Sequence, residues 1–402
     1  MTRELTIGFL PLVDACLPIL AHEHGFAEEA GVSLRLVKDM SWATVLDRLL
    51  YGHSDAAHLV APLAIATTLG RGRPAQPLSV PFVLGLNGNA ITLRTQIARQ
   101  VRPEGHMGEP VQVGAALRRV VQERLAAGSP LRFGVVHRYS SHNYMLRYWL
   151  AACGIQPDRD VEIATVAPPF CADALAQGEV DGICVGEPWN SVAVEQGVGE
   201  IVLSSAQIWR RGVEKVLALR EAVLEERREA VLGLIRALCR AGAHFVDPAN
   251  WEQNAAILAR PQYLDGSAEL IRRAISDRLL ISRGGALIHY PDFMFQHREA
   301  ANFPWVSQAE WLYTQMVRWD GMAFDPADAA KAARVFRPDI YRAALLGTGE
   351  PLPGASSKVE GSLAARTVVG TQQGAMMLEA NSFFDGKVFD PNHIEDYLSK
   401  LP

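Results

Sequence analysis

The stretch Phe133-Gly134-Val135-Val136-His137-Arg138-Tyr139-Ser140-Ser141-His142-Asn143 passes from a short apolar run, through a polar loop, into a segment with helical period. The next forty residues keep the same grammar. A helix over 143–152 stops at Gly154, a strand covers 161–166, Pro168-Pro169 opens a helix over 170–177 that stops at Gly178, and Gly182-Ile183-Cys184-Val185 is again strand. Short apolar runs alternating with helices that end on glycine are the signature of βαβ construction. Residues 133–185 therefore predict one α/β unit.

The pattern repeats toward the N-terminus. Leu5-Thr6-Ile7-Gly8-Phe9-Leu10 is a strand broken by Pro11, a helix over 17–25 ends on Gly25, and a strand occupies 33–37. Ser41 caps a helix over 42–51, and residues 56–60 form another strand. Two strand-like connections, 88–94 and 215–220, enter and leave the second unit, so the chain returns to its first lobe. The expected division is residues 1–90 with 221–402 as a discontinuous lobe I, and 91–220 as lobe II. Beyond Arg220 the character is helical, with a long amphipathic helix over 225–245. Residues 347–361, rich in Gly, Pro and Ser, read as an exposed loop.

Composition agrees with two lobes. The chain has 402 residues, 49% hydrophobic and 21% charged, which excludes disorder and coiled coil as whole-chain descriptions and exceeds a single core. Its 44 acidic against 39 basic side chains leave a net charge of -5, which offers no long-range attraction to nucleic acid or an anionic membrane. An anion must be held by local chemistry. No window reaches the roughly 18 apolar residues of a membrane span. The five cysteines are odd in number and scattered, and read as buried apolar residues in a reducing compartment. Arg3 is followed at once by Glu4, and Gly8 and Pro11 interrupt the first apolar run, so no secretory signal is read and a cytoplasmic protein is expected.

Open α/β lobes bind ligands at the carboxyl ends of their strands. That rule points to Pro11–Asp14, Ser41-Trp42, Asn87-Gly88-Asn89, Ser140-Ser141-His142 and Gly186-Glu187-Pro188-Trp189. His142 opens a helix, whose free N–H groups suit an anion, or else it is an exposed residue behind a plain N-cap. Lys215 is a point charge for an anion, or half of a surface pair with Glu214. Trp42 offers an indole N–H, or is core. Asn89 offers an amide, or merely completes a turn. Glu187 is a general acid, a hinge wedge or a lobe contact. No nucleophile stands beside a base, no phosphate-cradling glycine loop occurs, and neither His53 with His58 nor His289 with His297 has metal-ligand spacing. Catalysis, a cofactor and a metal site are therefore not expected, and the histidines read as structural.

Taken in order, Leu5–Ala15, Ser41-Trp42 with Asp47, Asp55-Ala56-Ala57-His58, Leu86-Asn87-Gly88-Asn89-Ala90-Ile91-Thr92, Arg147-Tyr148-Trp149-Leu150-Ala151, Cys184-Val185-Gly186-Glu187-Pro188-Trp189-Asn190 and the closing Phe384-Asp385-Gly386-Lys387-Val388-Phe389-Asp390-Pro391 resemble the nitrate- and bicarbonate-binding proteins of ABC transporters. The resemblance implies a type II periplasmic-binding-protein clamshell, two α/β lobes hinged by two crossing strands. It also implies a small anion held between the lobes by Trp42, Asn89, His142 and Lys215. The bicarbonate branch has an acidic residue at the lysine position, so Lys215 favours nitrate or nitrite. Asn89 is shorter than the glutamine usual in the family, and Tyr139-Ser140-Ser141-His142 replaces its Gly-Gly-Thr-His.

Without a signal segment the chain resembles the family's cytoplasmic nitrate/nitrite sensors. The resemblance then implies an RNA-binding antiterminator as partner, released when the anion binds, with no direct contact to nucleic acid or membrane. The alternatives are the periplasmic binding component of a nitrate transporter and, from another class, an enzyme on the same clamshell like those that make thiamine pyrimidine.

Overall fold

The computed structural model describes residues 4–103 and 106–401; residues 1–3, which bear on the reading of the start, lie outside them. Two sheets organise the chain. The first contains Glu4–Phe9 (β1), Ser33–Lys38 (β2), Ala56–Val60 (β3), Leu78–Asn87 (β4) and, after a long excursion, Val213–Arg220. The second contains Asn89–Arg94 (β5), Leu131–Val135 (β6), Val161–Thr165 (β7), Gly182–Gly186 (β8) and Gly199–Ser204 (β9). With Val213–Arg220 named β10, the orders are (Met294–Phe295)-β4-β10-β3-β1-β2 and β7-β6-β8-β5-β9. This is the expected two-lobed α/β architecture.

The central strands β3, β4 and β8, largely apolar in sequence, are buried at every position. β1 pairs in parallel with β2 and β3, whereas β10 returns antiparallel between β3 and β4. The sheet pairings differ from the expected division at residues 90 and 220. Asn89 already hydrogen-bonds within the second sheet, and all of β10 belongs to the first.

The two crossings run side by side and are tied by one residue. Asn87 has φ 60°, its backbone N–H donates to the Gly212 carbonyl at 2.9 Å, its Nδ2 donates to the Arg210 carbonyl at 2.9 Å, and its Oδ1 accepts from the Gly212 N–H at 3.2 Å. An asparagine tolerates this left-handed conformation and carries the donor and acceptor needed to lock both passages.

The C-terminal tail closes over the junction. Phe383 stacks on Trp209 and Trp311, with ring centroids 4.9 and 5.5 Å away, while Tyr148 of the second lobe donates to the Asp385 carboxylate at 2.9 Å. The helix expected over 225–245 is two helices, Glu221–Glu226 and Arg228–Val246. Arg227 leaves the helical conformation between them, where its guanidinium reaches Asp55 at 2.8 Å and the Glu4 carbonyl. The hairpin Thr367–Thr371 with Gly374–Leu378 is an addition to the expected elements. Among the described residues no helix is long and apolar enough to cross a membrane. All five cysteines are free thiols, four of them buried and Cys153 partly so.

Candidate functional site

Two helix caps and two strand ends build the site. Ser41 accepts from the Thr44 N–H at 3.2 Å, which starts the helix Trp42–Leu50 and sets Trp42 in its first turn, pointing inward. Ser140 does the same for Asn143 at 3.1 Å, so the helix Ser141–Ala152 begins two residues earlier than expected and buries His142 in its first turn. Asn89 opens β5 opposite Gly186. β10 carries Glu214 and Lys215, and its register against β4 slips on either side of Lys215. Such irregularities re-aim side chains near functional sites.

These side chains converge. The Lys215 ammonium donates to Asp14 Oδ2 at 2.8 Å and to Glu214 Oε1 at 2.7 Å. It lies 5.4 Å from the centroid of the Trp42 ring, close enough for a cation–π attraction. His58 Nε2 lies 2.9 Å from Asp14 Oδ1, and its ring centroid 5.2 Å from that of Trp42. His142 Nδ1 is 3.3 Å from Glu214 Oε1. A Cβ placed on Gly186 would stand 3.3 Å from both Asn89 Oδ1 and Asp14 Oδ2, so the bare backbone there is what lets Asn89 approach the cluster.

The structure thus brings Trp42, Asn89, His142 and Lys215 into one buried cluster. His142 is not the exposed residue of a plain cap, and the Glu214–Lys215 pair is not at the surface: each is fully or almost fully buried. Three further members, Asp14, His58 and Glu214, complete it. Asp14 stands at the carboxyl end of β1, where the strand-end rule points, and His58 is the one polar residue in the otherwise apolar β3. What escaped the sequence is their mutual pairing, which is purely tertiary.

The electrostatics follow from burial opposed by pairing. Burial works against the Asp14 carboxylate, but Lys215 and His58 outweigh it and hold that group well below the usual carboxylate range. Burial likewise opposes the Lys215 charge, yet Asp14 and Glu214 keep its ammonium above its ordinary value. Glu214 is pushed up by burial against the pull of Lys215, and burial pushes Glu187 up to about 7 against its hydrogen bonds with Ser191 and Asn190. His142 falls well below its ordinary value through burial and then Lys215, so it is a neutral imidazole. Because ionised Asp14 only accepts, His58 donates from Nε2 and keeps Nδ1 as an acceptor.

Four residues of the cluster present polar atoms that have no hydrogen-bond partner among the described residues: Trp42 through Nε1, Asn89 through both polar atoms of its amide, His142 through both ring nitrogens, and His58 through Nδ1. Buried groups of this kind are rare because each forfeits its hydrogen bonds to water. Convergent unpaired donors beside an ammonium can pair with a small acceptor. Glu187 is a lobe contact: the Val13 N–H donates to its carbonyl at 2.8 Å, and Trp189 Nε1 donates to the Pro11 carbonyl at 3.2 Å. The loop after β1 is thereby fastened to the loop after β8.

Known proteins share this architecture. The crystal structure of the periplasmic nitrate-binding protein NrtA from Synechocystis PCC 6803 superposes with a TM-score of 0.86 at 25% identity, covering 100% of this chain and 99% of that one. The nitrate/nitrite binding protein NrtA of Synechococcus elongatus is 28% identical over 99% of this chain and 86% of its own length. The nitrate import ATP-binding protein NrtC of Synechocystis is 32% identical over 99% of this chain, which spans only 55% of that protein. The chain thus covers about half of one curated relative and most of another. The model of the NMT1-like family matches residues 1–259, well over half of the chain. On its sequence the chain belongs to the NMT1-like family, and its two-lobed fold is that of the periplasmic binding proteins.

Proposed function

We propose that the protein binds one nitrate or nitrite ion between its lobes, through Trp42, Asn89, His142 and Lys215, as the binding component of an ATP-driven import system. The observation that carries this reading is the set of unpaired buried donors around Lys215. Nitrate is planar, singly charged and a weak acceptor, so neutral donors with one already compensated ammonium suit it. A dianion would add a second uncompensated charge to a buried site. Trp42 Nε1 and the Asn89 amide donate to the anion. His142, a neutral imidazole, donates to the anion from Nε2. Lobe I then comprises residues 4–87 with 213–401, and lobe II residues 89–204.

The names of the relatives support import over the cytoplasmic sensor with an antiterminator partner. Calorimetric titration with nitrate, nitrite, bicarbonate and sulfate at equal ionic strength tests the reading. Saturable binding of one nitrate or nitrite per chain is expected, abolished by Lys215→Glu and strongly weakened by the charge-deleting Lys215→Met. Preference for sulfate, or undiminished nitrate binding by both variants, would sink it.

A further inference from the structure

Cys239, His297 and Glu350 stand outside the anion cluster and far apart in sequence, yet one ligand atom from each lies within 4.8 Å of the other two. We propose that these three side chains form a binding site for a single divalent cation of the zinc class. The ligand types decide the class. A thiolate, an imidazole and a carboxylate together are the donors of zinc, whereas calcium and magnesium take oxygen alone. Three protein ligands leave a fourth position open for water. Bound thiolate and carboxylate would neutralise the ion's two charges.

The fold prepares this meeting. Cys239 and Gly242 lie three residues apart in the helix Arg228–Val246 and so share a face. A Cβ on Gly242 would stand 3.3 Å from the His297 Cβ, so the glycine admits His297 to the same face as Cys239. His297 sits in a turn where three residues without the freedom of glycine, His297, Glu299 and Ala300, have φ of 58°, 56° and 51°. Each such residue costs on the order of 1 kcal/mol or more and persists only where its surroundings enforce it. The enforcement is visible: the His297 N–H donates to Asn302 Oδ1 at 3.0 Å, and Asn302 Nδ2 donates to the Val83 carbonyl in β4 at 2.7 Å.

Glu350 comes after the helix Pro338–Leu345, which Arg236 holds against the same long helix through the Ala344 carbonyl at 3.4 Å. The Glu350 side chain hydrogen-bonds with the Cys239 thiol, and a cation bound to the sulfur displaces its proton. Zinc–ligand bonds of about 2.0–2.3 Å bring ligand atoms closer to one another than 4.8 Å, so binding contracts the triangle slightly. His297 showed no metal-ligand spacing in the sequence because its partners come from two other segments.

Cobalt(II) titration of the chelator-treated full chain tests the proposal, since a thiolate ligand gives an intense near-ultraviolet charge-transfer band. The expected result is saturation at one equivalent, displacement of the band by zinc, and its disappearance in Cys239→Ser. Roughly tenfold or greater weakening is expected in His297→Ala. No band, or a band that survives Cys239→Ser, overturns the proposal. If Cys239→Ser does not fold, Glu350→Gln decides: unchanged cobalt affinity overturns the site, and weakening of roughly tenfold supports it.

Discussion

Lys215 and Asp14 form a buried ion pair at 2.8 Å that joins the returning strand β10 to the turn after β1. The lysine is therefore not a free cation awaiting an anion. Its charge is already shared with Asp14 and Glu214, and the anion competes with the field of Asp14. Replacing Asp14 with asparagine keeps the shape and releases that field. Nitrate affinity is expected to rise by roughly tenfold or more. Stability is expected to fall by about 3 kcal/mol, the lower end for a broken buried pair because Glu214 still engages Lys215. Calorimetry and urea unfolding of Asp14→Asn measure the two effects, and a loss of nitrate affinity would contradict this arrangement.

The unpaired donors separate binding from folding. Trp42→Phe removes the indole N–H and retains most of the ring, so nitrate affinity should drop roughly tenfold, the worth of one hydrogen bond to a charged group. Asn89→Ala removes polar atoms that are unsatisfied without a ligand, so the unliganded protein should melt no lower than wild type while its thermal shift with nitrate shrinks. Differential scanning calorimetry with and without nitrate reads both.

Glu214 makes nitrate binding depend on pH. Its carboxyl is raised by burial, and ionising it adds a negative charge beside the anion. Nitrate affinity should therefore fall as pH rises through the raised carboxyl value. Glu214→Gln should flatten this fall without destroying binding. An unchanged slope in that variant would remove Glu214 from this role.

Glu187 gives stability a pH dependence of defined sign. A carboxyl raised from 4.5 to about 7 binds its proton more tightly in the folded state, so stability is lost as pH climbs from about 4.5 to 7 and is level above. The shift corresponds to about 3 kcal/mol. In Glu187→Gln this component should vanish from urea midpoints measured across that interval.

Much of this design is legible in local sequence, and the remainder is not, for one physical reason. Caps, glycine stops and apolar runs are encoded within a few residues of where they act, and so the helix Trp42–Leu50 and the strand Ala56–Val60 agree with the reading of the chain to within a residue. The break at Arg227 depends on Asp55, 172 residues away in sequence, and the pairing of Lys215 with Asp14 joins the two ends of a lobe that the chain leaves and re-enters. Periodicity carries no trace of such contacts. The resemblance to anion-binding proteins named the four candidate residues, whereas only the folded chain shows that three other ionisable groups set their charge.

The most direct test is a crystal structure of the protein grown with nitrate. Planar three-oxygen density is predicted between the lobes, within hydrogen-bond distance of Trp42 Nε1, His142 Nε2 and Lys215 Nζ, with the Lys215–Asp14 pair intact. Nitrate bound elsewhere, or a shut cleft without density at saturating nitrate, would contradict a nitrate site built on these residues.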